Sequence, residues 1–228
     1  MTGAFDDLCD FAVVGTDTAV GKTVVTAGLV GRLREAGVDA RAVKPCQTGY
    51  PPDDDAAFVA RACGDETAAT CLRRLEPALA PAVAAEQVDT DLSYEAILSD
   101  CREAVADAEV GVVEGIGGLR VPLADDREVV DLVADLEMPT LIVARSGLGT
   151  LNHTALTVEA LQARGVAVAG IVCNEYAGET TAERTNPSVV SEMTGVPVET
   201  LPPLSLDEPG DAVAGVDEHL ADSAFLLE

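Results

Sequence analysis

Nine residues near the start of the chain, Gly15-Thr16-Asp17-Thr18-Ala19-Val20-Gly21-Lys22-Thr23, have the types and order needed to hold a polyphosphate. The short apolar run Asp10-Phe11-Ala12-Val13-Val14 precedes them, and a helical stretch from about Lys22 to Ala36 follows. In that strand–loop–helix setting backbone amides wrap phosphate oxygens and the helix N-terminus adds a favourable field. The backbone of Ala19, Val20 and Gly21 would form the cradle, Lys22 would meet the β- and γ-phosphates, and the Thr23 hydroxyl would hold Mg2+. Five residues rather than four separate Gly15 from Gly21, a departure from the generic pattern. The competing reading, a glycine-rich turn with an incidental lysine, sits poorly with Gly-Lys-Thr at the start of a helix.

A nucleotide site also needs positive charge and metal ligands. The chain has two lysines, Lys22 and Lys44, and every other basic side chain apart from its two histidines is arginine. Where lysine is otherwise avoided, a compact ammonium kept at two places suggests a need for it there. Glu114 ends a buried apolar run and is followed by glycines, so its carboxylate would enter the crevice; spacing alone leaves it balanced between ligand and structural acid. Asp55 belongs to the run Asp53-Asp54-Asp55 ahead of a helix, and spacing alone favours an N-cap or a solvated acid.

These groups need a frame. Strands are expected at Asp10–Val14, Ala40–Val43, Val110–Val113, Pro139–Ala144, Val166–Cys173 and Val196–Leu201. Helices are expected at Lys22–Ala36, Asp53–Ala62, Leu92–Ala108, Glu128–Leu136, Leu151–Arg164 and Thr181–Thr194, with a small one near the C-terminus. The stretch Asp65–Asp89 reads as irregular with some helix, and Glu114–Gly118 as a break after its strand. Alternating strands and helices imply an α/β fold: a mostly parallel β-sheet with helices on both faces, of P-loop NTPase type, as one domain over 1–228. Ligands of such sheets bind beyond the carboxyl ends of the strands, where all these motifs fall.

Composition narrows the setting. With 48% hydrophobic residues, 3% aromatics and no Trp, the interior must be built from Ala, Val, Leu and Ile. The net charge of -26 opposes binding to nucleic acid or anionic membranes, and its even spread with little Lys suggests adaptation to a salty cytoplasm. No apolar run is long enough to span a membrane, and Met1–Asp10 lacks the basic start of a secretory signal. The six cysteines form no CxxC pair, so free thiols in a reducing cytoplasm are expected rather than a zinc site.

Five separated blocks share one further property. The loop Gly15–Thr23, Lys44-Pro45-Cys46-Gln47-Thr48-Gly49, Val113-Glu114-Gly115-Ile116-Gly117-Gly118 with Val121-Pro122-Leu123, Leu148–Thr157 and Gly170–Asn174 resemble, in order, the motifs of the dethiobiotin synthetase family, from about residue 10 to 204. The resemblance implies ring closure of 7,8-diaminopelargonate with CO2 and ATP through a carbamate and a carbamic–phosphoric anhydride. It implies Thr23, Asp55 and Glu114 as metal ligands, Lys22 and Lys44 as catalytic cations, and Thr18 and Thr48 as hydrogen-bonding partners of phosphate, carbamate or substrate. By the same resemblance the backbone at Gly115, Gly117 and Gly118 approaches the ligand, and Asn174 reads adenine beside Pro202, Pro203 and Leu204. Gly149, Thr150, Leu151 and Asn152 would line the substrate site of a partner in a homodimer; without the resemblance, Asn152 and His153 read as a helix N-cap and a buried polar residue. The chain departs from the family at Ala19, where some members have an acid, at Thr48 in place of Ser, and at Leu119-Arg120, often aromatic. Three rivals remain: an amidation domain of cobyrinate-type synthases, which carry a glutaminase domain this chain has no room for; a ParA/MinD-like switch, whose early loop lysine is here Asp17; and a catalytically silent nucleotide-binding module, against which Lys22, Thr23, Lys44 and Glu114 argue.

Overall fold

Alternation along the strands separates two apolar layers. In the computed structural model, which describes residues 9–221, Phe11 and Val13 of the first strand enter one buried cluster and Ala12 and Val14 the other. The elements in chain order begin with β1 (Phe11–Gly15), α1 (Lys22–Glu35), β2 (Ala40–Lys44), β3 (Gln47–Thr48) and α2 (Asp55–Cys63). There follow a 3-10 turn (Glu66–Ala68), β4 (Ala69–Cys71), β5 (Arg74–Leu75), α3 (Pro81–Gln87), α4 (Tyr94–Ala106) and β6 (Val110–Gly118). The rest comprises β7 (Pro122–Ala124), β8 (Arg127–Glu128), α5 (Val129–Asp135), β9 (Thr140–Arg145), α6 (Thr150–Gln162), β10 (Val168–Asn174), α7 (Thr181–Thr194), β11 (Val198–Thr200) and α8 (Asp211–His219).

The main sheet has seven strands in the order β11-β10-β9-β1-β6-β2-β4, all parallel. Helices α1, α2 and α8 cover one face through Val25, Val59 and Val216, and α4 to α7 cover the other through Ile97, Val129, Val158 and Val190. The sheet is therefore buried on both sides, as its continuous apolar strands require. A core of small side chains draws the helices together. A Cβ placed on Gly28 of α1 would lie 2.3 Å from Val216 of α8, and one on Gly31 would lie 2.4 Å from Val213.

Two expectations need correcting. The strand expected to break at Glu114 runs on through Gly118, which pairs with Gly15. Glycines that read as a breaker serve close packing here, since a Cβ on Gly118 would meet the Thr16 carbonyl at 3.4 Å. The stretch Asp65–Asp89 is not merely irregular with helix, because β4 forms the sheet edge beside β2 and β5 pairs with β3. Helix α2 begins at Asp55 rather than Asp53, and the remaining boundaries differ by a few residues at most.

All six cysteines are free, and Cys46, Cys101 and Cys173 are wholly buried. Burial pushes the Cys46 and Cys101 thiols up to about 12 and that of Cys173 to about 11. Among the described residues no helix is long and apolar enough to cross a membrane. Residues 1–8, most of the segment bearing on a leader, lie outside those described.

Candidate active site

The phosphate loop is shaped by its surroundings before any ligand is considered. The Thr16 N–H donates to the Val143 carbonyl of β9 at 3.0 Å, which fixes the departure from β1. Ala19 (φ 55°) and Gly21 (φ 95°) then take left-handed conformations, the alternation that gathers amides into an anion-binding concavity. Gly21 is doubly constrained, because a Cβ there would also fall 2.0 Å from Asn174 Nδ2. Asn174, at the end of β10, donates through that nitrogen to the Val20 carbonyl at 3.0 Å. Lys22 Nζ reaches back to the Asp17 carbonyl at 3.0 Å and across to that of Gly117 at 2.9 Å.

Lys44 ends β2, next to β6. The residue is 5% exposed, and its ammonium touches Asp55 Oδ2 at 2.5 Å, Glu114 Oε1 at 2.7 Å and the Gly115 carbonyl at 3.2 Å. Buried charge is tolerated only when paired, and this one is paired twice. Burial by itself would lower the Lys44 pKa, but Glu114 and Asp55 outweigh it and raise the value. Burial likewise opposes the charged form of Asp55, and the Lys44 ammonium overcomes it, holding that carboxyl below its usual range. Lys22 lacks so close a carboxylate. Burial, then repulsion from Lys44, depress its pKa to about 8.

The two lysines share a cavity for a reason visible in β6. Lys44 caps the carbonyl of Gly115 and Lys22 that of Gly117, so both ammonium groups are held on the same short stretch of this strand. Thr23 completes the group, its hydroxyl donating to Glu114 Oε1 at 2.9 Å. Two carboxylates and a hydroxyl thus gather beside the Lys44 ammonium. Hard oxygen donors in that number suit Mg2+, which takes one or two carboxylates and fills its remaining places with water and phosphate.

Asp55 owes its position to its neighbours. Asp54 is the residue that caps α2, accepting from the Ala57 N–H at 3.0 Å, so the N-cap reading of Asp55 does not hold. Buried Gln47 accepts from the Asp55 N–H at 3.0 Å and donates to the Thr48 carbonyl at 2.9 Å, locking the helix start to the segment after Lys44. Gln47 lay inside a recognised block without a role; its bond to the Asp55 N–H gives it one.

A cleft of about 730 Å³ gathers Thr18, Ala19, Gly21, Lys22, Thr23, Lys44, Thr48, Asp55, Glu114 and Gly117. Phe58, Arg61, Ile116 and Leu79 also line it and were not anticipated. Val20 turns its side chain into the core and offers only backbone, and Gly115 offers its carbonyl to Lys44. Gly118, Asn174, Pro202, Pro203 and Leu204 do not line this cleft. Neither do Gly149, Thr150, Leu151 and Asn152 at the start of α6. There Asn152 and His153 are exposed, which overturns the buried reading of His153, while Gly149 occupies the N-cap and Thr150 is buried against Thr154, with their hydroxyls 3.2 Å apart.

Known proteins resemble this chain in sequence and in fold. The family model described as an AAA domain matches residues 10–205. A dethiobiotin synthetase of Haloferax mediterranei is 69% identical over 92% of this chain and 91% of its own length. Another, from an Anaeromyxobacter species, is 44% identical over 80% of this chain and 84% of its own. Among solved structures, a ParA family ATPase from Chlorobium tepidum superposes with a TM-score of 0.62 over 95% of both chains at 14% identity, a likeness of fold alone. The sheet, the phosphate loop and the strength of these matches lead to one assignment: the chain belongs to the ATP-dependent dethiobiotin synthetase family.

Proposed function

We propose that the chain closes the ureido ring of dethiobiotin from 7,8-diaminopelargonate, CO2 and ATP. The observation that carries this reading is the meeting of Lys22, Lys44, Thr23, Asp55 and Glu114 in one cleft. One amine of the diamine adds to CO2 and loses a proton, giving a carbamate. A carbamate oxygen attacks the γ-phosphorus and ADP leaves, giving the carbamic–phosphoric anhydride. The second amine attacks the anhydride carbon, the C–O bond to phosphate breaks, and the ring closes with loss of a proton.

Carbamate and triphosphate are both anionic, and the protein must offset their repulsion. Lys22 would hold the β- and γ-phosphates, and Lys44 the carbamate and the transferring phosphoryl group. Thr18 and Thr48 would donate hydrogen bonds, and the backbone at Gly117, which lines the cleft, leaves room for close approach. Thr23, Asp55 and Glu114 would hold Mg2+, which supplies charge neutralisation at the phosphate oxygens when bound. Asn174, Pro202, Pro203 and Leu204 would border the adenine. Incubation with diaminopelargonate, bicarbonate, ATP and Mg2+, followed by mass detection of dethiobiotin, tests the reading; ATP hydrolysis with no cyclised product would overturn it.

The same reading places the enzyme in the cytoplasm as a homodimer. The exposed Leu148 and Leu156 (94% and 55% exposed) flank the Gly149–Asn152 segment and support pairing there. Sedimentation would find a dimer, and a monomer active at full rate would exclude that site. Salt adaptation predicts that the melting temperature falls as KCl is removed.

A further inference from the structure

Two carbonyls of the phosphate loop are held by side chains from outside the loop, and one of those side chains has no role so far. Arg145, the last residue of β9, donates from Nη2 to the Thr18 carbonyl at 3.0 Å. Its Nη1 lies 3.9 Å from Asp17 Oδ2, and Asp17 Oδ1 accepts from the Thr18 N–H at 2.7 Å. We propose that Arg145 is a positioning residue of the nucleotide site, tethering the Asp17–Thr18 tip so that the loop amides beyond it face the polyphosphate.

The planar trans peptide carries the argument. Its C=O and N–H point in opposite directions, so holding one orients the other. Arg145 on the Thr18 carbonyl sets the N–H of Ala19, and Asn174 on the Val20 carbonyl sets the N–H of Gly21. Ala19 and Gly21 both line the cleft, whereas Arg145 does not. The two tethers end adjacent strands, since Arg145 and Asn174 are register partners at the carboxyl ends of β9 and β10. Alternate peptides of the loop are thus oriented from one side by two neighbouring strand ends. Arg145 acts through the loop and not by contact with the nucleotide.

The test is calorimetric binding of MgATP and MgADP to the full chain, with steady-state kinetics. In Arg145→Ala both nucleotides are expected to bind about tenfold more weakly, the loss of one charge-assisted hydrogen bond. KM for ATP rises by the same factor, while kcat stays within about twofold, which also shows that the variant is folded. The conservative Arg145→Lys, which keeps one donor, regains part of the loss. The penalty persists in molar KCl, where a through-space charge effect would be screened away. Unchanged affinity in Arg145→Ala, a penalty that vanishes in salt, a Lys variant no better than Ala, or a fall in kcat with KM unmoved would each overturn the tether. The inference rests on the nucleotide reading of the cleft: failure of the unmodified protein to bind MgATP would sink that reading, a result distinct from any of these.

Discussion

The sheet divides at β1 into two unlike halves. The β6–β2 side carries the charges: Lys44 and Glu114 end or run through its strands, and Asp55 is brought to them by α2. The β9–β10–β11 side sends no charged group into the cleft, yet Arg145 and Asn174 at its strand ends hold the loop. Buried charge has to be balanced within a few ångströms, so the reactive groups of one half form a tight cluster that cannot be altered singly. Orientation needs only single hydrogen bonds, and these can come from an exposed or a neutral side chain. The contrast separates what the site does from what holds it in shape.

The largest effect should come from breaking the charged half. Lys44→Ala is expected to lower kcat for ring closure about a thousandfold, with MgATP affinity changed only a few-fold. It also leaves Glu114 and Asp55 unpaired, costing about 3 kcal/mol in urea unfolding without Mg2+. Near-normal turnover would remove Lys44 from the chemistry. Gly21→Ala tests the seam between the halves, since its new methyl meets Asn174 in a backbone conformation that itself costs roughly 1–2 kcal/mol. Nucleotide binding should weaken at least about tenfold, and adding Asn174→Ala should restore part of it; strictly additive losses would deny the coupling.

Two smaller changes probe the supports. Gly28→Ala forces a methyl against Val216, and overpacking of this kind costs about 1–3 kcal/mol with kcat unaltered. Val216→Ala in the same chain should recover only part of the denaturant midpoint, because the Val216 Cβ that alanine retains itself lies 2.3 Å from the new methyl. Asp131→Asn is milder. Asp131 accepts from the Glu128 N–H at 2.8 Å at the start of α5 and pairs with Arg164. Burial opposes its charged form, but the Glu128 bond and Arg164 prevail and hold its pKa down. A depressed folded value means stability that is complete above the unfolded carboxylate pKa, about 3.9, and is lost as pH falls through the folded one. The Asn variant should lose about 1 kcal/mol at neutral pH and show a shallower acid limb; parallel limbs would show that Asp131 is not linked to acid unfolding.

What could be read from sequence follows the range of the interactions. The phosphate loop, α1 and the apolar strands are local patterns, and they stand where expected. Glu114 was even on spacing because its two partners come from residues 70 and 91 positions away in the chain. Spacing alone favours a cap or a solvated acid for Asp55 because three acids in a row offer no local means of choosing, and Asp54 takes the cap. Edge strand β4 has three residues and no alternation long enough to register; pairing with β2 makes it a strand. The bond from Arg145 to Thr18 spans 127 positions, and nothing near either residue announces it.

The three wholly buried thiols have a use in following the folding of this chain. It has no tryptophan, so the usual fluorescence signal is missing. Cys46 lies just beyond β2, Cys101 within α4 and Cys173 in β10, each at 0% exposure. In a native sample their alkylation must wait for the surrounding structure to open, so the labelling rate of each would time the opening of a different element. Mass spectrometry of the labelled peptides would then tell whether the strand bearing Lys44 and the strand bearing Asn174 come apart together or in turn.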